Sequence, residues 1–242
     1  MHRFHLHHKS SEQTAAELRP RNELDAMVAN IELTLISIVQ GVALYFLTDS
    51  ARVSIAEFRW ASLPYVLSGA ALILTVWTRS LIHALTVIRW PLELGHNFFY
   101  IIVTLFEATL FTQLSTPARW YPMSVLLGLL FWTMFVYERR LYRMRRHDSA
   151  GPHGAALLEV LERDHELSLR MLIPLSALSW VIYAGLLARY PETFLNHGWH
   201  VALASLQALG ILGYLALVWR FYRGITAKIL AARAEWEAGS RG

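Results

Sequence analysis

Long uncharged apolar stretches recur six times in this chain, and no other sequence feature limits its fold as strongly. They lie near 26–48, 62–88, 96–115, 119–138, 168–188 and 198–221. About 20 apolar residues in helical form cross the roughly 30 Å of a bilayer's hydrocarbon core. In lipid the backbone must also satisfy its own hydrogen bonds, which a helix does and a loop does not. The sequence therefore predicts an all-α, polytopic membrane protein with six transmembrane helices. Composition agrees, with 55% hydrophobic and only 17% charged residues, where a soluble domain carries about 25% charged. The second stretch is the least sharply bounded. Its apolar part ends near Thr78, and "TRSLIHALTVIRW" continues as an amphipathic segment toward Pro91.

The basic residues orient the spans. Of the 22 Lys and Arg, 18 fall in the N-terminus, the second-to-third and fourth-to-fifth connections and the C-terminus, against 4 on the other side. The positive-inside rule then places both termini in the cytoplasm, and a bacterial inner (plasma) membrane is the expected location. The expected organisation is a mobile cytoplasmic tail over 1–24, a transmembrane domain over 25–222 with a cytoplasmic loop at 139–167, and a cytoplasmic helix or tail over 223–242. Because topology accounts for the basic charge, no nucleic-acid partner is expected. The lipid bilayer itself is the first partner.

Several chemistries are excluded or disfavoured. There is no cysteine, which rules out disulfides and thiolate metal sites. No Gly-rich phosphate loop and no nucleophile elbow occurs, so no enzyme activity and no cofactor is expected. His2, His5, His7 and His8 form an N-terminal metal tether or, more simply, part of a polar tail. Transmembrane haem needs paired histidines on facing helices; of His83 and His96 inside and His197 and His200 outside, only His83 with His96 shares a side with enough separation, and Pro91 interrupts it. In "AALLEVLERDHELSL" the group Glu162, Asp164, His165 and Glu166 has metal-ligand chemistry, but Leu157, Leu158 and Leu161 favour a solvated amphipathic surface helix running into the fifth span.

Polar residues inside a span are costly and usually face protein or water. On the first helix Asn30, Thr34, Ser37, Gln40, Gly41 and Tyr45 fall within an arc of about 140° at 100° per residue. Glu32 lies outside that arc. On the third, His96, Asn97, Tyr100, Thr104 and Glu107 form a stripe about 100° wide. On the sixth, His200, Gln207 and Tyr214 share a face. Three polar faces at matched depths predict a shared polar interior.

The first three spans resemble the prokaryotic TMEM175-like (DUF1211) channel family, whose first helix carries a pattern like F-S-D-x-V-F-A-I-x-x-T-L. Here "LDAMVANIELTL" keeps Val28, Ile31, Thr34 and Leu35 in register, while the family's Asp stands one place early, at Asp25. Tyr65, Ser68, Trp77 and Asn97 are similar to marks of its second and third spans. The resemblance covers about residues 20–110. It implies a cyclic homo-oligomer in which the first helices line a pore, with Ile31 as constriction and Thr34 as a hydroxyl layer, and with monovalent cations as the conducted species. The expected function is thus an oligomeric cation channel lined by Asn30, Ile31, Thr34, Ser37 and Gln40. Glu32, Asn97, Thr104, Glu107, His200 and Gln207 are its intramembrane polar residues. The alternative is a non-catalytic sensor, effector or scaffold subunit that docks partners through its cytoplasmic loop and tail.

Overall fold

A computed structural model describes the backbone of residues 4–87, 94–148 and 151–239; of these, the side chains of 4–22, 145–148, 151–152, 233 and 235–239 lie outside the description. The N-terminal histidines are among the side chains left out. Among the described residues seven α-helices follow in order: α1 (Phe4–Ala56), α2 (Leu63–Thr86), α3 (Leu94–Phe111), α4 (Pro117–Asp148), α5 (Gly151–Leu167), α6 (Ile173–Arg189) and α7 (His200–Gly239). No strand occurs among the described residues. Among the described residues six helical stretches are long and apolar enough to cross a membrane: Glu23–Ala56, Trp60–Thr86, Leu94–Phe111, Pro117–Met144, His153–Arg189 and His200–Ala232. They correspond to the six stretches read from the sequence.

The helices pack as an irregular ring. α1 lies on α2 and α3, α2 on α7, α7 on α5, α5 on α4 and α4 on α3, while α6 leans outward on α4. Between lipid-soluble helices the attraction comes from close packing rather than from water exclusion, so small residues mark the tight crossings. A Cβ at Gly95 would clash with the Tyr137 hydroxyl, and one at Gly128 would lie 2.9 Å from the Trp180 ring. These glycines let α3 and α6 approach α4. The outward surface is apolar, as lipid requires: Ile38, Val42 and Leu44 on α1, Leu175, Leu178 and Ile182 on α6, and Leu206 and Leu209 on α7 are exposed.

α5 and α6 form one continuous path through a wide turn over Ser168–Leu172, where the Ile173 amide bonds to the Ser168 carbonyl. Pro174 explains the turn. A proline has no amide hydrogen and clashes with the carbonyl four residues back, so the ladder is reset just before it. The turn lets α5 face the bundle interior while α6 swings to its outer side. At the opposite end, Gly198 takes φ +76°, a conformation glycine adopts without strain, and turns the chain into α7.

Candidate functional site

The interior has polar groups at both ends of the bundle. At the end where α3 begins and α4 finishes, four helices deliver titratable side chains to one point. His83 comes from the last turn of α2, His96 from the first turn of α3, Glu138 from α4 and His165 from α5. All four are buried, none more than 8% exposed. His96 Nδ1 lies 3.3 Å from Glu138 Oε1, and His165 Nδ1 lies 3.9 Å from Glu138 Oε2. The His83 and His96 rings stack with centroids 4.8 Å apart and planes 24° off parallel. One carboxylate thus sits among three imidazoles.

The surroundings hold these rings in place. His165 Nε2 lies 2.9 Å from the Phe135 carbonyl, which can only accept, so Nε2 carries the proton. The ring also stacks on Phe135, with centroids 4.9 Å apart. The Tyr142 hydroxyl lies 3.5 Å from His83 Nδ1. Arg79 and Asp164 form an ion pair beside the cluster, and the guanidinium lies 5.5 Å over the Phe135 ring. A cavity of about 130 Å³ adjoins the group. Its polar floor is His83, His96, Glu138, Tyr142, Arg79 and Asp164. Its apolar walls include Val76, Phe131, Trp180 and Ile211. That volume has room for several waters. The His83 and His96 rings stack directly on each other and do not stand on either side of a plate-shaped gap, as a haem pair would.

From the cluster a polar string continues along α1 and α3. Glu32 faces His96 and Asn97, the Gln40 amide donates to the Tyr100 hydroxyl at 3.2 Å, and Gln40 also faces Glu107. Thr104 closes on the Tyr100 carbonyl at 3.1 Å. The whole α3 stripe, His96, Asn97, Tyr100, Thr104 and Glu107, is buried, Glu107 completely. Beyond Glu107 the string stops against Leu47, Leu110, Phe111 and Leu114, all buried in one apolar cluster.

The first-helix residues do not share one environment. Asn30, Ile31, Thr34 and Ser37 are exposed on the outside of the chain. Gln40 is not on that face. It stands at the edge of the arc, beside the buried row Ile36, Ala43 and Leu47, and turns to α3. Glu32, further round, is buried. Thr34 and Ser37 donate to the carbonyls of Asn30 and Leu33 in their own helix, at 2.9 and 2.8 Å. His200 and Gln207 of α7 do not join the α1–α3 string. They sit at the other end with Tyr65, Tyr121 and Trp120. Tyr214, the third residue of that α7 face, lines the cavity with His83, His96 and Glu138, so α7 contributes to the α3 end through Tyr214 while His200 and Gln207 form a second interior.

Sequence reasoning passed over Glu138 and set aside His165. A signal for His165 was present. Leu158, Leu161, His165 and Ser168 recur at three- and four-residue spacing, one helical face, and all four are buried. That face is packed against the bundle and is not solvated. Glu138, at the border of a basic helix end, carries no local signal. Its partners come from helices that are distant in sequence.

No family model matches this chain, and no curated protein or solved structure is similar to it.

Proposed function

We propose that this chain is a membrane ion-transport protein in which cations move along a polar route inside the helix bundle of each subunit. The observation that carries the reading is the buried string from the Glu138–imidazole cluster through Glu32, Asn97, Tyr100 and Gln40 to Glu107. Polar and ionisable groups placed in a bundle at this depth cost stability, and ion and proton pathways are their usual reason. Carboxylates, imidazoles and amide oxygens all favour a cation over an anion. The apolar layer of Leu47, Leu110, Phe111 and Leu114 closes the route on its far side, so passage requires those side chains to part.

A second reading keeps the expected pore on an oligomer axis. It is favoured by one observation, the exposure of Asn30, Ile31, Thr34 and Ser37 together on one face of the chain. Ion flux into liposomes carrying purified protein separates the two. The internal route predicts that Glu107→Gln and Glu138→Gln reduce flux strongly while Ile31→Asn leaves it unchanged. An axial pore predicts the reverse, with Ile31→Asn raising flux by wetting a dry constriction. Flux unaltered by either carboxylate substitution overturns the internal route.

A further inference from the structure

We propose that His83, His96 and Glu138 bind a divalent transition-metal ion of the Zn²⁺ type, with His165 packed beside the carboxylate. The inference deepens the cation-route reading and rests on it for how the ion arrives. The site itself is argued from geometry.

One ligand atom from each of the three residues can be chosen so that all lie within 4.8 Å of one another. Zinc binds imidazole nitrogen at about 2.0–2.1 Å and carboxylate oxygen at about 2.0–2.2 Å, so tetrahedral ligands stand about 3.3 Å apart. His96 Nδ1 with Glu138 Oε1 is already at 3.3 Å, and binding requires one of the stacked His83 and His96 rings to turn so that both ring planes point at the ion. The donor set is two imidazoles and one carboxylate, which suits Zn²⁺ and its neighbours and leaves a fourth position. The adjoining cavity supplies that position with room for water.

Two independent features point to a cation at this place. His83 Nε2 is buried and has no hydrogen-bond partner, in a side chain only 6% exposed. When Nδ1 donates to the Tyr142 hydroxyl, Nε2 presents a bare lone pair, which is the form a metal takes. The second feature is His165. With its proton fixed on Nε2 by the Phe135 carbonyl, its buried Nδ1 has no hydrogen-bond partner and looks across 3.9 Å at a carboxylate oxygen. A lone pair facing a carboxylate is relieved by a positive charge between or beside them. Ligands from α2, α3 and α4 also mean that the ion would tie three spans together, so its arrival and departure would be felt across the bundle.

The absence of cysteine makes the test direct. The full chain is prepared with His2, His5, His7 and His8 changed to Ala, which removes the other histidine cluster, and is stripped with EDTA in detergent. Co²⁺ is added and its visible d–d absorption followed, and Zn²⁺ is titrated in competition with a chromophoric chelator. The expected result is one ion per chain, a Co²⁺ spectrum of nitrogen and oxygen ligation, and a melting temperature that rises with Zn²⁺. His83→Ala and Glu138→Gln should each weaken binding about 100-fold or more. His165→Gln, which removes the buried ring beside the carboxylate together with its packing on Phe135 and Tyr142, should weaken it about tenfold. Glu138→Gln keeps the size of the side chain. Its melting temperature without metal reports whether the variant is folded, and only its rise with Zn²⁺ should vanish. No saturable binding overturns the site, as does binding that survives both His83→Ala and Glu138→Gln unchanged. The flux assay stays distinct. Glu107-dependent flux without metal binding removes the site and leaves the route, and metal binding at these ligands without flux removes the route and leaves the site.

Discussion

The two ends of the bundle both bury polar side chains, and they handle them in opposite ways. At the end where α2 begins and α7 begins, the groups are neutral hydrogen-bonding pairs. The Tyr65 hydroxyl lies 2.9 Å from His200 Nδ1, the Trp120 indole donates to Gln207 Oε1 at 2.8 Å, and the Tyr121 hydroxyl donates to the His200 carbonyl at 3.3 Å. Tyr65, Trp120 and Tyr121 also pack edge-on or tilted, with Tyr65 5.3 Å from Trp120. At the other end, and along the string leading from it, the groups are carboxylates and imidazoles. Glu32 Oε1, Gln40 Oε1, His83 Nε2, His165 Nδ1 and both Glu107 oxygens are buried without a hydrogen-bond partner. Native proteins pair nearly all buried polar atoms, so a run of exceptions calls for an ion, water or a functional state. The satisfied end is built to hold helices together. The unsatisfied end is where the proposed ion and its route would lie.

The largest effect that would break this contrast is at Glu107. Replacing a fully buried acid, faced only by the Gln40 amide, with an apolar residue of similar size removes a desolvation cost. Glu107→Leu should therefore leave the melting temperature equal or higher while flux falls to background. A variant that melts lower and still conducts would make Glu107 a structural residue like those at the satisfied end. Trp120→Phe is the mirror test. It strands Gln207 Oε1 in a buried site and should cost about 1–2 kcal/mol of stability. Flux per folded molecule should not change. Thermal melts in detergent and liposome flux, read together, give both answers.

Gly95→Ala comes next in size and sharpens the contrast by acting through the backbone. The added methyl runs into the Tyr137 hydroxyl, which displaces the tyrosine or forces α3 and α4 apart. Overpacking of this kind costs about 1–3 kcal/mol. The residue next to Gly95 is His96, so the His96–Glu138 approach widens with it. Metal affinity should fall even in the fraction that remains folded. A variant of lower melting temperature with unaltered affinity would show that the cluster tolerates a looser α3–α4 crossing than the geometry implies.

How much of this was legible in advance follows from where the information lies. Hydrophobic length is local, so the six spans were readable from the sequence. The α3 stripe was readable as well, because residues on one helix share a face by spacing alone. What α1 does with its polar residues was not readable. Gln40 and Thr34 lie in one arc, yet neighbouring α3 takes Gln40 inward and leaves Thr34 outside. Glu138 was invisible for the same reason, since its three imidazole neighbours come from α2, α3 and α5. His165 was accessible through its register with Leu158 and Leu161, but its charged neighbours Asp164 and Glu166 outweighed that signal. The pairing of Arg79 with Asp164 joins residues 85 positions apart, and no single-helix pattern announces it.

The smallest predicted effect bears on the outer face of α1, the one place where lipid and an oligomer axis demand different things. Polar side chains exposed to lipid need partners, and a ring of subunits with water on its axis is one way to supply them. Thr34 and Ser37 have another. Each hydroxyl already donates to a carbonyl one turn back in its own helix, an internal bond that lipid leaves undisturbed and that neither a neighbour nor water has to complete. On a lipid-facing surface, Thr34→Val and Ser37→Ala then remove a bond along with the donor that needed it, and the carbonyls keep their backbone partners. Stability should change by no more than about 0.5 kcal/mol, and flux by nothing measurable. On a hydrated axis the same two substitutions strip the hydroxyl layer from the pore beside Ile31, and conduction should drop even though the fold is intact. Measuring both variants alongside Glu107→Leu places the ion path on one side of α1 or the other.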